Sequence, residues 1–453
     1  VNGMNSVLRT NGLGLFTDLY ELTMAQAYDA EGLQETAVFE LFFRSLPPGR
    51  NFAVAAGIWD ALVYLESVHF TDEDADYLRR QGLFSDEFIR RLQDFRFQGH
   101  VFAVPEGTVV FPNEPLVQVV APMIQAQLVE TFLLNQVHFQ TVLASKAARI
   151  VLAAQGRTVV DFGARRAHGL DAALKAARAS YLVGADGTSL VEAGKLFDIP
   201  VFGTMAHSYV QAHDDERSAL AAFARRYPGT TLLVDTYDTL QGVRRVIELA
   251  ERLGSDFHVG AIRLDSGDLE ALAREARRML DQAGLVKVKI FASSELDEWA
   301  ISRFVKSDVP IDGFGVGTHL VVSEDAPSLD MAYKLVEYAG RGRIKLSTSK
   351  ALYPGRKQVF RVVEDGRMQR DIIGRWGAKA EGSGLLVPML QGGKRLAGQE
   401  DDLRAAREYA IEQLRRLPPP LAALEAAQPA YPVHVSDEIR HDFESLKESM
   451  QAM

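Results

Sequence analysis

A strand–helix unit repeats about every 30 residues between Asp161 and Gly317, in the middle of this chain. In each unit a short apolar run is followed by a small polar cluster and then by a stretch with helical periodicity. Short runs rich in β-branched residues are typical of buried parallel strands. Because the carboxyl ends of parallel strands meet at one edge, where α/β enzymes bind their substrates, the pattern predicts an enzyme. The polar clusters are DFGARR (161–166), GTMAHS (203–208), VDTYD (234–238), IRLDSGD (262–268), FASSELDE (291–298) and FGVGTH (314–319).

The chain has 453 residues, which is more than one hydrophobic core usually serves, so we expect several domains. Alternating β patterns cut by Pro and Gly predict a β-rich layer apart from the strand–helix core, and they lie at 36–57, 100–121 and 333–373. The predicted domains are an N-terminal α/β domain over 1–122, the strand–helix core over 123–332, and a β segment with a helical tail over 333–453.

Local patterns predict several single elements. Residues 15–31 are amphipathic and predict a helix, with Thr17 or Asp18 as its N-cap. A long helical pattern covers 123–155, and the Asp-Gly pair at 365–366 predicts the turn of a β-hairpin.

Composition narrows the class of protein. Hydrophobic residues make up 47% of the chain and charged residues 24%, as in ordinary soluble globular proteins. No apolar run approaches the ~18 residues that span a membrane, and the first residues contain no signal-like apolar stretch. The absence of cysteine excludes disulfides and thiolate metal sites. With a net charge of −10 and no long basic run, we expect a cytoplasmic protein that binds neither membrane nor nucleic acid.

The FGVGTH cluster has glycines at alternate positions after a predicted strand. Such glycines expose backbone N–H groups that can hold a phosphate, and Thr318 adds a hydroxyl. The spacing lacks the third glycine of the dinucleotide-binding fingerprint. The alternative is a tight turn after the strand.

The IRLDSGD cluster places two opposite charges around a strand end. Alternation along a strand puts Arg263 and Asp265 on the same face, where they can pair or both contact a ligand. Carboxylates in this position suit ribose hydroxyls or a Mg²⁺ shell. Asp268 either takes part in catalysis or caps the following helix.

The VDTYD cluster also offers a carboxylate at a strand end. Asp235 is the stronger functional candidate, whereas Thr236 or Asp238 would serve as the cap of the next helix.

The DFGARR cluster brings two arginines together after a strand. Adjacent guanidinium groups are costly without an anion, and Arg165 and Arg166 suit phosphate or carboxylate by bidentate contact. Phe162 either stacks on a flat ring or is a core residue.

The GTMAHS cluster contains His207 near the start of a helix. A lone histidine is usually structural, but a strand-end position beside other polar residues favours function. His213 is six residues further on, a spacing that does not bring two imidazoles together on one helix face, so a metal pair is not predicted.

Taken together, these motifs resemble those of the nicotinate phosphoribosyltransferases, the ATP-assisted enzymes of NAD salvage. The segments TDLYELTMAQAY, FGARRAHG, GTMAHSYV, VDTYDT, IRLDSGDL and FGVGTHL occur in order, and the resemblance extends from residue 15 to YPVHVSDEI at 431–439. It implies an irregular α/β barrel of the type II phosphoribosyltransferase kind. It also implies an additional α/β, β-rich domain built from N-terminal and post-barrel segments, and a homodimer with sites completed at the interface.

The resemblance implies a role for particular residues. Tyr20, Thr204 and Arg263 would contact nicotinate. ATP would phosphorylate His207 during turnover, and Thr318 would bind 5-phosphoribosyl 1-diphosphate. In the implied reaction the pyridine nitrogen of nicotinate displaces diphosphate at the anomeric carbon, with Mg²⁺ and basic groups neutralising the leaving group.

The expected site combines these residues with those found from the clusters, and the metal ligands stay open. The expected catalytic residues are His207, Asp235 and Asp265; the nicotinate-binding residues are Tyr20, Phe162, Arg165, Thr204 and Arg263; and the residues for the phosphoribosyl diphosphate are Gly315, Gly317 and Thr318.

Three alternatives stay open. The ring could be nicotinamide or quinolinate, although several arginines favour an acid. A Schiff-base aldolase would need a lysine at a strand end, whereas Lys289 lies inside its predicted strand. A non-catalytic binding protein on the same scaffold would have lost residues such as His207 and Asp265, which are present.

Overall fold

The fold comes from a computed structural model that describes residues 12–346, 352–399 and 401–452. It divides into two compact units. The first unit contains the chain up to Ser145 and again from Ala326 onward, and the second unit is the continuous segment Lys146–Asp325. The segments predicted as separate N-terminal and C-terminal domains therefore both contribute to the first unit, while the three-domain division itself stays a prediction.

The structure contains nineteen strands among the described residues, and the patterns predicted at 36–57, 100–121 and 333–373 all contribute to them. In chain order they are β1 (Thr36–Phe43), β2 (Ala53–Val54), β3 (His100–Ala103), β4 (Val109–Val110), β5 (Val117–Pro122), β6 (Thr158–Asp161), β7 (Gly187–Thr188), β8 (Thr231–Leu233), β9 (Ala261–Leu264), β10 (Lys289–Ser294), β11 (Gly313–Val316), β12 (Met331–Tyr338), β13 (Arg341–Gly342), β14 (Lys357–Glu364), β15 (Arg367–Arg375), β16 (Ser383–Gly384), β17 (Val387–Gln391), β18 (Lys394–Arg395) and β19 (Val433–Val435).

Helices connect these strands. In chain order they are α1 (Leu19–Glu31), α2 (Ile58–Ser67), α3 (Asp72–Gln81), α4 (Asp86–Gln93), α5 (Met123–Leu128), α6 (Glu130–Ala154), α7 (Leu170–Leu182), α8 (Val191–Phe197), α9 (His207–Gln211), α10 (Glu216–Arg226), α11 (Thr239–Leu253), α12 (Leu269–Gln282), α13 (Glu298–Lys306), α14 (Thr318–Val321), α15 (Leu403–Arg415), α16 (Pro419–Ala422) and α17 (Asp437–Gln451), with 3₁₀ turns at Ala164–Arg166 and Gly254–Asp256. Within the described ranges, none of these helices is long and apolar enough to cross a membrane.

The second unit is built on a sheet of six parallel strands in the order β7-β6-β11-β10-β9-β8. Apolar residues of its strands, such as Val160, Ile262 and Phe314, are fully buried, because helices cover parallel strands. The predicted strand–helix repeat is therefore confirmed. No backbone ladder of the described residues joins β7 to β8, so the hydrogen-bonded strands form an open sheet.

The two edges of that sheet are connected by an irregular segment. Phe202 donates its N–H to the carbonyl of Thr188 in β7 at 2.9 Å. Two residues later, the hydroxyl of Thr204 donates to the carbonyl of Thr231 in β8. The segment that carries the GTMAHS cluster thus contacts both edge strands.

The first unit contains the predicted β-rich layer. Its largest sheet has seven antiparallel strands in the order β13-β12-β1-β5-β3-β17-β18. Each of the three predicted β segments therefore contributes at least one strand to this sheet. A four-stranded sheet has the order β16-β14-β15-β19, and β2 pairs with β4.

Most single-element predictions are confirmed with shifted ends. The N-terminal helix begins at Leu19 with Asp18 as its N-cap residue, and its side chain makes no capping bond. The long helical pattern is two helices, α5 and α6, separated at Val129. Asp365 and Gly366 both have positive φ between the paired strands β14 and β15, as the predicted two-residue hairpin turn requires.

Candidate active site

A cavity of about 480 Å³ lies at the carboxyl ends of the parallel strands in the second unit. It is lined from the turn after β6, the segment that follows β7, and the end of β9. Six of the predicted site residues line it together: Phe162, Arg165, Thr204, His207, Arg263 and Asp265.

Arg263 and Asp265 form the charged centre of this cavity. Arg263 Nη2 lies 3.1 Å from Asp265 Oδ2, so the two side chains pair, which is one of the two arrangements that strand alternation allows. The hydroxyl of Ser293 accepts from Arg263 Nε at 2.8 Å and donates to Asp265 Oδ1 at 2.5 Å. Burial alone would raise the pKa of Asp265, but the bonds from Ser293 and the charge of Arg263 lower it on balance. Asp265 is therefore ionised at neutral pH.

His207 is the first residue of α9 and is oriented from two sides. Its Nδ1 lies 3.2 Å from the hydroxyl of Thr236, and its Nε2 lies 3.7 Å from Asp265 Oδ2. The side chain is 40% exposed. The ring is thus held by a neighbouring hydroxyl while one edge stays accessible from the cavity.

Asp235 follows β8 and organises the turn after β9. Its Oδ2 accepts the N–H of Asp265 at 2.8 Å and the hydroxyl of Ser266 at 2.7 Å. Its Oδ1 is buried and has no hydrogen-bond partner among the described residues. One carboxylate oxygen is therefore left to accept from, or bind, a further group.

Phe162 is half-buried and lies against the glycine-rich strand β11. A Cβ on Gly315 would lie 2.5 Å from the ring of Phe162 and 3.1 Å from that of Phe291. Arg263 lies over the same Phe162 ring, with its guanidinium carbon 5.9 Å from the centroid. Glycine at 315 therefore provides the space that lets Phe162 face the cavity.

Gly315→Ala should destabilise the protein by about 1–3 kcal/mol, because the added methyl overlaps the ring in a packed interior. The same substitution in a Phe162→Leu background should cost much less, since the smaller side chain can move away. Urea unfolding of the two single variants and the double variant measures this coupling. Equal costs in both backgrounds would show that Gly315 does not serve the ring.

The rest of the FGVGTH cluster lies beside the DFGARR turn. The N–H of Phe162 donates to the carbonyl of Val316 at 2.8 Å, which joins the two segments. Gly317 precedes α14, and Thr318 is its exposed first residue. Of the three predicted phosphate-binding residues, Gly317 and Thr318 are accessible, whereas Gly315 is buried within β11.

The remaining cluster residues separate into accessible and capping side chains. Arg165 is exposed and lines the cavity, while Arg166 is exposed without lining it. Asp238 and Asp268 accept backbone N–H groups at the starts of α11 and α12, so both are helix caps. For these two residues the structural alternative is confirmed.

Tyr20 lies on α1 in the first unit and is 47% exposed. Partial burial and the carboxylates of Glu130 and Glu21 raise the pKa of its phenol. Glu21 is fully buried and accepts from the hydroxyl of Thr17 and from the hydroxyl and N–H of Thr131. Burial, outweighing these bonds, raises the pKa of Glu21 from 4.5 to about 7.

The stability of the protein should therefore contain a component from Glu21 that falls as pH rises. Between pH 4.5 and about 7 the folded state keeps a proton that the unfolded state has lost. Glu21→Gln should remove this component, which amounts to at most about 3 kcal/mol. Urea unfolding of both proteins at pH 5 and pH 7.5 provides the measurement. An identical pH dependence in the two proteins would contradict the assignment.

Several site residues were not predicted from the sequence. Ser293 and Ser266 belong to clusters that the sequence singled out, but nothing in the pattern marked them as the partners of Arg263 and Asp235. The sequence predicts Thr236 only as a possible helix cap, whereas in the structure its hydroxyl contacts His207. Ser189 lines the cavity from the turn directly after β7, before α8, and no polar cluster marks that turn in the sequence.

Fold and site together define an α/β enzyme whose polar cavity, at the carboxyl ends of a parallel sheet, combines an arginine–carboxylate pair, a held histidine and an aromatic face. Models of two families match this chain: the nicotinate phosphoribosyltransferase N-terminal domain over residues 15–138, and the nicotinate phosphoribosyltransferase family over 158–347. The chain belongs to the nicotinate phosphoribosyltransferase family.

Individual relatives agree with this assignment. The chain is 59% identical to nicotinate phosphoribosyltransferase pncB2 of Mycobacterium tuberculosis, covering 96% of this chain and 94% of that protein. It is 44% identical to the nicotinate phosphoribosyltransferase of Bacillus subtilis over 78% of this chain and 74% of that protein. The crystal structure of human nicotinic acid phosphoribosyltransferase superposes with a TM-score of 0.84 at 29% identity, covering 95% of this chain and 99% of that one.

Proposed function

We propose that this protein transfers the phosphoribosyl group of 5-phosphoribosyl 1-diphosphate to nicotinate, giving nicotinate mononucleotide and diphosphate, a step of NAD salvage. The observation that carries the proposal is Arg263, held by Ser293 and Asp265 beside the face of Phe162. A planar aromatic acid needs one face to stack on and one cation for its carboxylate. Membership of the family supports the same reaction.

Nicotinate is proposed to bind between the aromatic face and the arginines. Phe162 stacks on the pyridine ring, while Arg263 and Arg165 bind the carboxylate. Thr204 contacts the ring from the segment that carries the GTMAHS cluster, and the resemblance drawn from the sequence adds Tyr20 as a nicotinate contact. Because the arginines bind the carboxylate on ring carbon 3, the ring nitrogen two positions away stays free to face the sugar.

In the transfer, the lone pair of the pyridine nitrogen forms a bond to the anomeric carbon as the bond to diphosphate oxygen breaks. Such displacements pass through states with positive charge on the sugar. Asp265, ionised at neutral pH, and Asp235 stabilise that charge or bind the ribose hydroxyls. No proton transfer to the ring is required, so orientation and charge carry most of the catalysis.

The phosphate groups are proposed to bind at the start of α14. Gly317 and Thr318 present backbone N–H groups and one hydroxyl there, and both are accessible. Gly315 contributes indirectly, because its lack of a side chain leaves space for the ring of the neighbouring Phe162.

The carboxylates at the strand ends fit a magnesium ion. Mg²⁺ prefers carboxylate oxygens and usually keeps waters and substrate phosphates as its other ligands. Asp265 lines the cavity and has such oxygens, and Asp235 lies next to it, accepting its N–H. A bound ion would neutralise the departing diphosphate. No group of three or more acidic or histidine ligands occurs among the described residues, so an ion here would share its shell with substrate.

ATP is proposed to phosphorylate His207 during turnover. Thr236 holds the ring at Nδ1, and the partly exposed side chain lines the cavity. The added phosphoryl group carries about two negative charges and tightens substrate binding by reorganising the neighbouring loops.

Two features of architecture also belong to the proposal. The segment that contacts both β7 and β8 supports an irregular barrel closed without a regular ladder. The homodimer is proposed from the resemblance drawn from the sequence. Cytoplasmic location stays a prediction of the sequence.

Diphosphate release tests the proposed reaction directly. The protein is assayed with phosphoribosyl diphosphate and Mg²⁺, with nicotinate, nicotinamide or quinolinate in turn, each with and without ATP. Turnover with nicotinate, stimulated by ATP, is the expected result. Preference for another ring would overturn the assignment of the arginines, and absence of turnover with all three would favour a binding protein. An aldolase is not supported, because no lysine lines this cavity in the described part of the chain.

A further inference from the structure

Asp161, the last residue of β6, is a fully buried carboxylate that the proposed chemistry does not use. Its side-chain partners among the described residues are uncharged donors of Gly163 and Thr188. Burying a carboxylate without a cation is costly, and burial raises the pKa of Asp161 in spite of these two bonds. Because burying this carboxylate costs free energy, its two hydrogen bonds are the place to look for a specific role.

The two oxygens of Asp161 bind two different segments. Oδ1 accepts the N–H of Gly163 at 2.8 Å, within the turn after β6. Oδ2 accepts the hydroxyl of Thr188 at 2.8 Å, at the end of β7. The same Thr188 oxygen accepts the N–H of Leu190 at 3.1 Å. One buried group therefore joins the turn after β6 to the segment after β7.

Both joined segments form walls of the cavity. Phe162 and Arg165 line it from the turn after β6, and Ser189 lines it from the segment after β7. The main chain adds a parallel connection, because the N–H of Ser189 donates to the carbonyl of Asp161 at 2.8 Å. The position of the Phe162 ring relative to Ser189 thus depends on residues that lie beneath the cavity.

We infer that Asp161 and Thr188 are positioning residues, which hold Phe162 and Ser189 at the separation that the flat ring of the substrate requires. This inference rests on the proposed function. Loosening the link should weaken nicotinate binding, because the ring stacks on Phe162. Binding of phosphoribosyl diphosphate should change less, because the turn after β6 stays joined to β11, just before α14, through the bond from the N–H of Phe162 to the carbonyl of Val316.

Thr188→Val tests the link with the smallest change, since valine keeps the shape and removes the hydroxyl. We expect the KM for nicotinate to rise about fivefold to tenfold, as for loss of one buried hydrogen bond. The KM for phosphoribosyl diphosphate should stay within about twofold. Thr188→Ser is the matched control, because it retains the hydroxyl and should restore the nicotinate KM.

Asp161→Asn tests the other end of the link. Its amide oxygen can still accept the N–H of Gly163, and its –NH₂ can donate to the Thr188 hydroxyl, so the nicotinate KM should rise no more than in Thr188→Val. The double variant should be no better than Thr188→Val alone, because valine leaves the amide without a partner across the link. If Asp161→Asn does not fold, Thr188→Val and Thr188→Ser still decide the question.

Amide hydrogen exchange gives a readout that is independent of catalysis. Peptides covering 162–167 and 189–193 should exchange faster in Thr188→Val than in wild type and Thr188→Ser. Faster exchange together with a raised nicotinate KM supports the inference. Unchanged exchange, or faster exchange with an unchanged nicotinate KM, overturns it. If wild type shows no nicotinate turnover, the proposed function fails, and the link between the two walls is then decided by exchange alone.

Discussion

Arg263→Gln should lower kcat/KM for nicotinate by about 100-fold, through loss of charge-assisted bonds to the substrate carboxylate. Most of the loss should appear in the KM for nicotinate. A second consequence follows inside the protein, because Asp265 and Ser293 both lose a partner. The pKa of Asp265 should rise toward its ordinary value, since the guanidinium charge helps to lower it. Steady-state kinetics with each substrate varied in turn measures the effect.

Arg263→Lys is the matched control for this prediction. Lysine keeps the positive charge but cannot reach Ser293, Asp265 and a ligand in one planar arrangement. We expect it to recover only part of the lost activity. If Arg263→Gln instead raised the KM for phosphoribosyl diphosphate and left that for nicotinate unchanged, the assignment of the cavity to the ring would be wrong.

His207→Ala should abolish the stimulation of turnover by ATP while leaving basal transfer. The ratio of rates with and without ATP should fall to about one, because no other histidine lines the cavity in the described ranges. Incorporation of the γ-phosphoryl group of labelled ATP into acid-labile, base-stable protein should be lost in parallel.

His213→Ala controls for a general effect of removing imidazole near this segment. His213 lies beyond α9, where its Nδ1 contacts the carbonyl of Tyr209. The His213→Ala variant should keep both the stimulation of turnover by ATP and the phosphoryl labelling. Full ATP stimulation in His207→Ala would exclude His207 as the phosphorylated residue.

The candidate site could be located from the sequence because the patterns that mark it lie within single strands and the turns that follow them. Each strand ends in a polar cluster, and alternation along one strand is enough to put Arg263 and Asp265 on the same face. A helix cap also depends only on neighbouring residues, so the sequence could indicate that Asp268 caps the following helix, as it does in the structure. Features that depend on a single strand or helix, such as the face on which a residue lies or the residue that caps a helix, could therefore be predicted from the sequence.

Contacts between strands could not be predicted in the same way. The alternating glycines predict a phosphate loop that includes Gly315, but they do not indicate that β11 lies beside β6 or that Gly315 makes room for the ring of Phe162. The partners of Asp161 and the role of Ser293 depend likewise on which strands are neighbours. Strand order in a parallel sheet is set by packing across the whole unit, and it cannot be deduced from the spacing of motifs along the chain.

The interruption of the first unit has a consequence for how the protein is made. Ser145 and Ala326, where the chain leaves and rejoins that unit, line one small cavity together. A ribosome releases the sheet strands β1, β3 and β5 early, while β12 and β17, which flank them on either side, emerge only after the whole second unit. Until then both borders of this three-stranded core carry unpaired backbone groups that attract other chains. The second unit, whose strands are continuous in the chain, can finish first. Folding should therefore proceed from the middle of the polypeptide outward, and the newborn N-terminal segment is where a chaperone is most needed.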